Sequence, residues 1–201
     1  MTSHGTPTPG LWSRTRRAVH DEVVGTALDL FTNQGFEATT VDQIVAATGL
    51  SRTSFFRYFG SKEDLVLGDT TQTRLDFSAA LRARPQEEGP WEALRAAALT
   101  LPGADLAPDR ALTVAKLIRT SPALRARSLE KHQQWQDSLV PVLQERLAGE
   151  PNAAASSDLA ARAVVAAALS CLQTATEVWA ERDGRGTLGE LYDQAIAAVR
   201  R

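Results

Sequence analysis

The sequence predicts an all-α protein, in which a small N-terminal domain of three helices precedes a larger C-terminal helical bundle. Alanine, leucine, arginine and glutamate, all strong helix formers, dominate the 201 residues. Runs of β-branched residues are absent, and the one Asp-Gly dipeptide, Asp183-Gly184, lies between helical patterns. Apolar residues recur at spacings of three and four, which is the period of an amphipathic helix.

The first predicted helix covers residues 11–34. Its apolar residues form a stripe wide enough to cover two other helices, and they are Val23, Val24, Ala27, Leu28 and Phe31. Phe36, just beyond this helix, is expected to pack beneath the small domain. Residues 1–10 lack the apolar core of a signal peptide, and we expect them to form a flexible tail.

Two short helices then follow, separated by a very short turn. Thr40 and Gln43 have the spacing of a capping box, which marks the start of a helix. Gly49 supplies the left-handed residue that ends this helix, and Ser51 can cap the next one only two residues later. A helix end that is followed two residues later by a new helix start predicts a helix-turn-helix.

The second of these helices, SRTSFFRYF, has one apolar and one polar side. Phe55 and Phe59 lie one turn apart and are expected to pack inward. The remaining polar side chains are expected to be exposed, and they are Arg52, Thr53, Ser54, Arg57 and Tyr58. Such an exposed polar face is typical of a helix that enters the major groove of DNA.

The remainder of the chain is predicted to be helical, with breaks at proline and glycine. The predicted helices cover residues 62–82, 91–101, 109–120 (capped by Asp109), 121–148, 158–182 and 187–201. Pro141 should kink or split the fourth of these helices. The predicted division is therefore a tail at 1–10, a helix-turn-helix domain at 11–61 and a larger helical domain at 62–201.

Charge and cysteine content set limits on location and partners. The formal net charge of −2 gives no global basic signature, so DNA binding must depend on local arginines. The run at Arg14, Arg16 and Arg17 is either a solvated charge run or an arm that contacts phosphate. A single cysteine, Cys171, fits a reducing compartment. The longest apolar run, 163–169, is too short to span a membrane, and we expect a cytoplasmic protein.

The segments FTNQGFEATT, TTVDQIVAATGLS and RYFGSKEDL together resemble the N-terminal domain of the TetR family of bacterial transcriptional regulators. The alternative is a similar helical corner in an unrelated bundle. The resemblance implies a regulator, expected to be a repressor, that binds double-stranded DNA. Whether such a regulator represses or activates depends on where its operator lies. The DNA-binding residues implied are Thr40, Ser51, Arg52, Thr53, Ser54, Phe56, Arg57, Tyr58 and Lys62.

These residues have different expected roles. Arg52 can pair bidentately with guanine, and the methyl group of Thr53 can meet a thymine methyl. Two departures from the family pattern affect base preference. Thr53 stands where the family usually has glycine, and Phe56 stands where it usually has tyrosine, so a hydroxyl contact to phosphate is missing.

Ser54 lies with Arg52 and Thr53 at the N-terminal end that reaches base edges, whereas four other residues of this set are expected to contact the DNA backbone. Arg57 and Tyr58 lie one turn further along the recognition helix. Thr40 and Lys62 each lie at the start of a flanking helix, where a side chain and the positive helix end can hold phosphate together.

Recognition of a genomic site by one short helix requires a second copy, so a homodimer on a palindromic operator is expected. The family resemblance implies that the last two helices, 158–182 and 187–201, form the interface. A ladder of mainly small residues supports this, and it comprises Leu159, Ala163, Ala167, Ser170, Thr174 and Val178. The alternative is that these stripes are buried within the monomer.

The segment AKLIRTSPALRARSLEKHQQW resembles the C-terminal domain of the mycofactocin-regulator branch, which implies an effector of the acyl-CoA type. Arg119, Arg125 and Arg127 would then meet phosphate groups, although a solvated face explains them equally well. The expected ligand-binding residues are Phe77, Trp91, Leu117, Arg119, Trp135, Leu139 and Thr174. One alternative is that these residues only pack in the core of the bundle. Another is a DNA-binding protein without any ligand.

An enzyme is the competing class, and the sequence gives it little support. His4, His20 and His132 are scattered, and none of the common metal or nucleophile motifs is present. We therefore predict no catalytic residue, no metal site and no cofactor.

Overall fold

A computed structural model of the chain describes residues 11–101, 107–148 and 157–200, with side chains undescribed at 11–17 and 157. Within these ranges the regular structure is helical and contains no strand, which confirms the predicted all-α class. The helices are α1 (Leu11–Gln34), α2 (Val41–Thr48), α3 (Arg52–Phe59), α4 (Lys62–Leu67), α5 (Thr70–Arg82), α6 (Pro90–Ala98), α7 (Pro108–Thr120), α8 (Pro122–Leu147), α9 (Ser157–Glu181) and α10 (Leu188–Val199). The expected tail at 1–10 and the loop at 149–156 lie outside the described residues.

The chain divides into two compact units between Val66 and Leu67. The expected boundary after residue 61 lies five residues earlier. The difference arises because α4 contributes to the first unit, where Leu65 and Val66 are buried.

The first unit is built on the apolar stripe of α1. Its described members are all buried, and Phe36 is buried beside them with its ring centroid 4.9 Å from that of Phe31. Ile44 of α2 and Phe55 of α3 are fully buried in the same unit. The predicted stripe and the predicted inward position of Phe36 are therefore confirmed.

The long helix predicted from Lys62 to Arg82 is wrong, because the chain breaks it after Leu67. Gly68 adopts a positive φ of 73°, which ends α4. Asp69 then caps α5, because its Oδ1 accepts the backbone N–H groups of Thr71 and Gln72 at 2.9 and 3.0 Å. The leucines on either side of this break still fall at helical spacing, so their pattern concealed the break.

One further expectation about a helix start is also wrong. Asp109 does not cap α7, since the helix begins one residue earlier at Pro108 and its N-cap position, Ala107, makes no side-chain cap bond. Pro141 does not split α8, which runs from Pro122 to Leu147, and the alternative, a kink at Pro141, stays a prediction. Leu139, Val142 and Leu143 are buried on both sides of this exposed proline, and their packing holds the helix together.

The second unit is organised around α8 and α9, which pack against each other. In addition, α5, α6 and α7 each contact at least one of this pair, and α10 packs on α9. One face of α9 is buried in the core, with Ala161, Val165 and Ala168 almost fully inaccessible. Among the described helices, α9 is also the one that is long and apolar enough to cross a membrane.

The Asp69 cap gives a stability prediction. Replacing Asp69 with alanine should destabilise the protein by about 0.5–2 kcal/mol, because two N–H groups of α5 lose their acceptor. Asp69→Asn keeps an acceptor oxygen and should lie close to the wild type. Urea denaturation followed by far-ultraviolet circular dichroism measures both variants, and equal stability of the two would contradict the cap.

Candidate nucleic-acid interface

The turn between α2 and α3 is built by local backbone chemistry. Thr40 and Gln43 form the predicted capping box, in which Thr40 Oγ1 accepts from the Gln43 backbone at 3.2 Å and Gln43 Oε1 accepts from the Thr40 backbone at 2.7 Å. Gly49 ends α2 in the left-handed region, with φ at 69°. Ser51 then caps α3 by accepting the backbone N–H of Ser54 at 3.1 Å. These bonds make the helix-turn-helix that the sequence predicts.

The two sides of α3 have opposite environments. Phe55 is fully buried and Phe59 is 9% exposed, and their ring centroids lie 5.6 Å apart. The opposite side is open to solvent, and its exposed residues are Arg52, Thr53, Phe56, Arg57 and Tyr58. The first turn of α3 therefore points outward with polar side chains, which is the arrangement that groove entry requires.

The two serines at the start of α3 contact each other. Ser51 Oγ lies 3.0 Å from Ser54 Oγ, in addition to capping the helix, and Ser54 is only half-exposed. Ser51 thus has a structural task in the free protein, whereas Ser54 presents a hydroxyl at the edge of the exposed face.

Arg52 is held by an acid that sequence reasoning did not select. Its Nη1 donates to Asp42 Oδ1 at 2.7 Å and to Asp42 Oδ2 at 2.9 Å. Its guanidinium carbon also lies 5.9 Å from the centroid of the Phe56 ring. Asp42 belongs to the first turn of α2, and no local motif connects it with a residue ten positions later. Only the packing of α2 against α3 reveals the pair.

Arg57 and Tyr58 form a second pair on the exposed face. Arg57 Nη2 donates to Tyr58 Oη at 3.3 Å, and the guanidinium lies 4.8 Å from the centroid of the tyrosine ring. The structure thus pairs two of the residues that were expected to contact the DNA backbone.

Lys62 has an intramolecular role that the sequence did not reveal. Its ammonium donates to the backbone carbonyls of Phe36 at 3.0 Å and Thr39 at 3.2 Å, and lies 4.4 Å from the Phe36 ring centroid. An ammonium has three N–H donors, and two of them are used within the protein. Lys62 therefore fastens the segment between α1 and α2 to the start of α4, close to Thr40.

The arginine run at the start of α1 cannot be assigned in the same way. The side chains of Arg14, Arg16 and Arg17 lie outside the described residues, so its two interpretations stay open.

The seven expected effector residues occupy different environments in the second unit. Phe77, Trp135 and Leu139 are buried in its core, where the rings of Phe77 and Trp135 meet edge to face at 5.3 Å. Trp91 packs against this core, and Leu117 is buried. The structure therefore does not gather all seven around one cavity.

Arg119 and Thr174 are the members that the structure places on the surface, where both side chains are exposed. Thr174 is exposed because α9 is rotated so that the adjacent residue, Ala175, packs in the core instead. Its hydroxyl donates to the Ser170 carbonyl at 2.9 Å. Their assignment to the effector site stays a prediction, and the exposure of Arg119 is consistent with its expected contact with phosphate groups.

The indole of Trp135 and the imidazole of His132 are polar groups that lie in or near the core of the second unit. Trp135 is 6% exposed, and its indole N–H has no hydrogen-bond partner among the described residues. Burial, with a smaller effect from Lys131, lowers the pKa of His132 below the ordinary histidine value. An open cleft of about 360 Å³ lies beside His132 between α8 and α9. Its lining is Leu129, His132, Gln133, Gln136, Leu169, Ser170 and Gln173, which includes none of the seven expected residues.

Two family models match the chain. Residues 23–68 match the model described as bacterial regulatory proteins, tetR family. Residues 88–201, more than half of the chain, match the model of the MftR C-terminal domain. The first match covers the helix-turn-helix described above. The second covers α6 to α10 in full and leaves out α5, the first complete helix of the second unit.

A curated relative supports the same assignment. TcmR of Streptomyces glaucescens, an HTH-type transcriptional regulator, is 33% identical over 147 residues, which cover 69% of this chain and 64% of TcmR. The chain thus spans less than two thirds of the length of this relative. The proteins to which the chain is similar are transcriptional regulators and not enzymes.

Two solved structures share the fold. NalD, the secondary repressor of the MexAB-OprM multidrug efflux pump in Pseudomonas aeruginosa, has a TM-score of 0.56 at 15% identity, covering 94% of this chain and 96% of NalD. Thermus thermophilus FadR, a transcriptional repressor solved in complex with lauroyl-CoA, has a TM-score of 0.50 at 19% identity, covering 89% and 91%. At these identities the likeness concerns the fold alone.

Proposed function

Because the chain belongs to the tetR family of bacterial regulatory proteins and carries an MftR-type C-terminal domain, we propose that it is a cytoplasmic repressor. It binds a palindromic operator as a homodimer, and a small apolar or acyl-CoA-like effector releases it. The observation that carries the proposal is the exposed first turn of α3, backed by the buried rings of Phe55 and Phe59. Two of its structural neighbours are named as repressors, which supports the direction of regulation.

In the proposed complex α3 lies in the major groove with its N-terminal end toward the base edges. Arg52 donates to guanine, while Thr53 and Ser54 contact neighbouring bases. The remaining polar residues of the set bind phosphate or sugar, and they are Thr40, Ser51, Arg57, Tyr58 and Lys62. Phe56 lacks a hydroxyl and contacts only sugar. Base contacts specify the site, whereas phosphate contacts fix the register of the helix.

The proposed dimer forms through residues 158–182 and 187–201. The ladder on α9 is largely exposed in the single chain, with Leu159 at 74% and Ala163, Ser170 and Thr174 also open to solvent. On α10, Val199 is 57% exposed. Small side chains allow two helices to approach closely, and a two-fold axis places the same patch on both copies. A four-helix interface of this kind would cover the exposed part of the α9 ladder and Val199 of α10.

The proposed effector site lies in the apolar interior of the second unit, near Phe77, Trp135 and Leu139. The unpartnered indole N–H of Trp135 supports a ligand that presents a hydrogen-bond acceptor, such as a thioester carbonyl, to an otherwise apolar site. The lauroyl-CoA complex of FadR and the MftR-type domain support an acyl-CoA. Arg119 and Arg125 are exposed and available to phosphate, whereas Arg127 is paired with Glu130 at 2.9 Å.

Direct base readout is tested with DNA selected from a random pool by the full-length protein. Arg52→Ala should weaken binding to the selected site by about 1–3 kcal/mol and relax preference at one base position. Arg57→Ala should weaken selected and unselected DNA alike, because phosphate contacts are independent of sequence. Gel-shift titrations that give Arg52→Ala an unchanged preference would remove Arg52 from base readout.

The dimer is tested by size-exclusion chromatography with light scattering. The wild type should have twice the 21.7 kDa chain mass, and Ala163→Glu should shift it toward the monomer because two like charges meet across the axis. Ala79→Glu alters an exposed alanine on α5 and serves as the control. A wild-type particle of the chain mass refutes the interface.

The effector class is tested by thermal denaturation with long-chain acyl-CoAs. Binding should raise the melting temperature by about 2–4 °C for each kcal/mol of binding energy, and should release the selected DNA. Free coenzyme A, which lacks the acyl chain, is the matched control. Acyl-CoAs that neither shift the transition nor release DNA would exclude this class.

A further inference from the structure

The contact between Asp42 and Arg52 is unusual for its position. Asp42 and Arg52 are well exposed, with side-chain accessibilities of 66% and 61%. Exposed ion pairs contribute little to the stability of a folded protein. An acid beside DNA is also unfavourable, since it repels phosphate. The ion pair itself therefore contributes little to folding.

The ion pair uses one nitrogen of Arg52 and leaves one edge of its guanidinium open. Both carboxylate oxygens accept from the same nitrogen, Nη1. Nε and Nη2 have no partner within the part of the chain that the structure describes. These two nitrogens form one edge of the planar guanidinium and carry parallel N–H groups. Guanine presents two acceptors, O6 and N7, side by side in the major groove.

The Phe56 ring supplies a second support for the same side chain, because it lies 5.9 Å from the guanidinium carbon. An arginine side chain has many rotamers in water, and ordering it upon binding opposes the contact that it makes. A guanidinium that is already held between a carboxylate and a ring loses less freedom when it meets a base.

We propose that Asp42 is a positioning residue for base recognition, which holds Arg52 by Nη1 so that its Nε–Nη2 edge faces guanine. The proposal rests on the proposed reading of a base by Arg52. Asp42 also raises specificity by a repulsive effect. Where Arg52 meets no guanine and swings away to a phosphate, the carboxylate is left without its partner in a field of negative charge.

Asp42→Asn tests the proposal because it keeps the shape of the side chain and removes its charge. The probe is the DNA selected by the wild-type protein, compared with the same duplex carrying a substituted guanine and with random-sequence duplex. The variant should bind random duplex more tightly, because a negative charge is lost. Its preference for the selected guanine should fall by about 3- to 10-fold, a part of the discrimination that a bidentate contact provides.

Asp29→Asn is the matched control for charge, since Asp29 is exposed on α1 and lies outside the helix-turn-helix. It should leave the preference for guanine unchanged. Asp42→Glu retains the carboxylate and should restore part of the preference that Asp42→Asn loses. Unchanged melting temperatures of the Asp42 variants would separate positioning from a merely structural role.

The double variant Arg52→Ala/Asp42→Asn separates the two proposals. If Asp42 acts through Arg52, the double variant should show the same guanine preference as Arg52→Ala alone. A loss of preference with Arg52→Ala but none with Asp42→Asn overturns the positioning role and leaves base readout intact. No loss with Arg52→Ala overturns the readout by Arg52, and with it the positioning role.

Discussion

The burial of Phe55 and Phe59 is the constraint on which the DNA-binding surface depends. Eight residues form too short a helix to be stable in isolation. The two rings lock one side of α3 into the first unit, and the Ser51 cap fixes its start. Arg52 and its neighbours then have a defined direction, because a helix that cannot rotate must present its opposite side to solvent. Packing on the apolar side thus determines which side chains can meet DNA.

The parts of the fold that the sequence predicted correctly depend on interactions within a few residues. The capping box of Thr40 and Gln43, the left-handed Gly49 and the Ser51 cap all join residues no more than three or four positions apart. Such interactions can be predicted from the spacing of residues along the sequence. The inward position of the α1 stripe was equally readable, because helical period alone assigns its members to one face.

The features that the sequence did not reveal depend on contacts between elements. Asp42 meets Arg52 only because α2 packs on α3, and Lys62 reaches carbonyl groups more than twenty residues earlier. The break at Gly68 was hidden because the apolar spacing continues across it. The exposure of Thr174 was not evident either, because a run of small residues does not define how its helix is rotated about its axis, which the packing of Ala175 fixes.

The positions of the tryptophans determine which part of the protein dominates its intrinsic fluorescence. Three of the four tryptophans lie in the second unit. Trp135 is enclosed beside Phe77, and Trp179 is anchored through its indole N–H to the Gly186 carbonyl at 3.2 Å. Trp91 is only half-buried beneath the guanidinium of Arg200. Intrinsic fluorescence is therefore weighted toward this unit, so a change in the surroundings of these tryptophans should alter the emission wavelength without any attached dye.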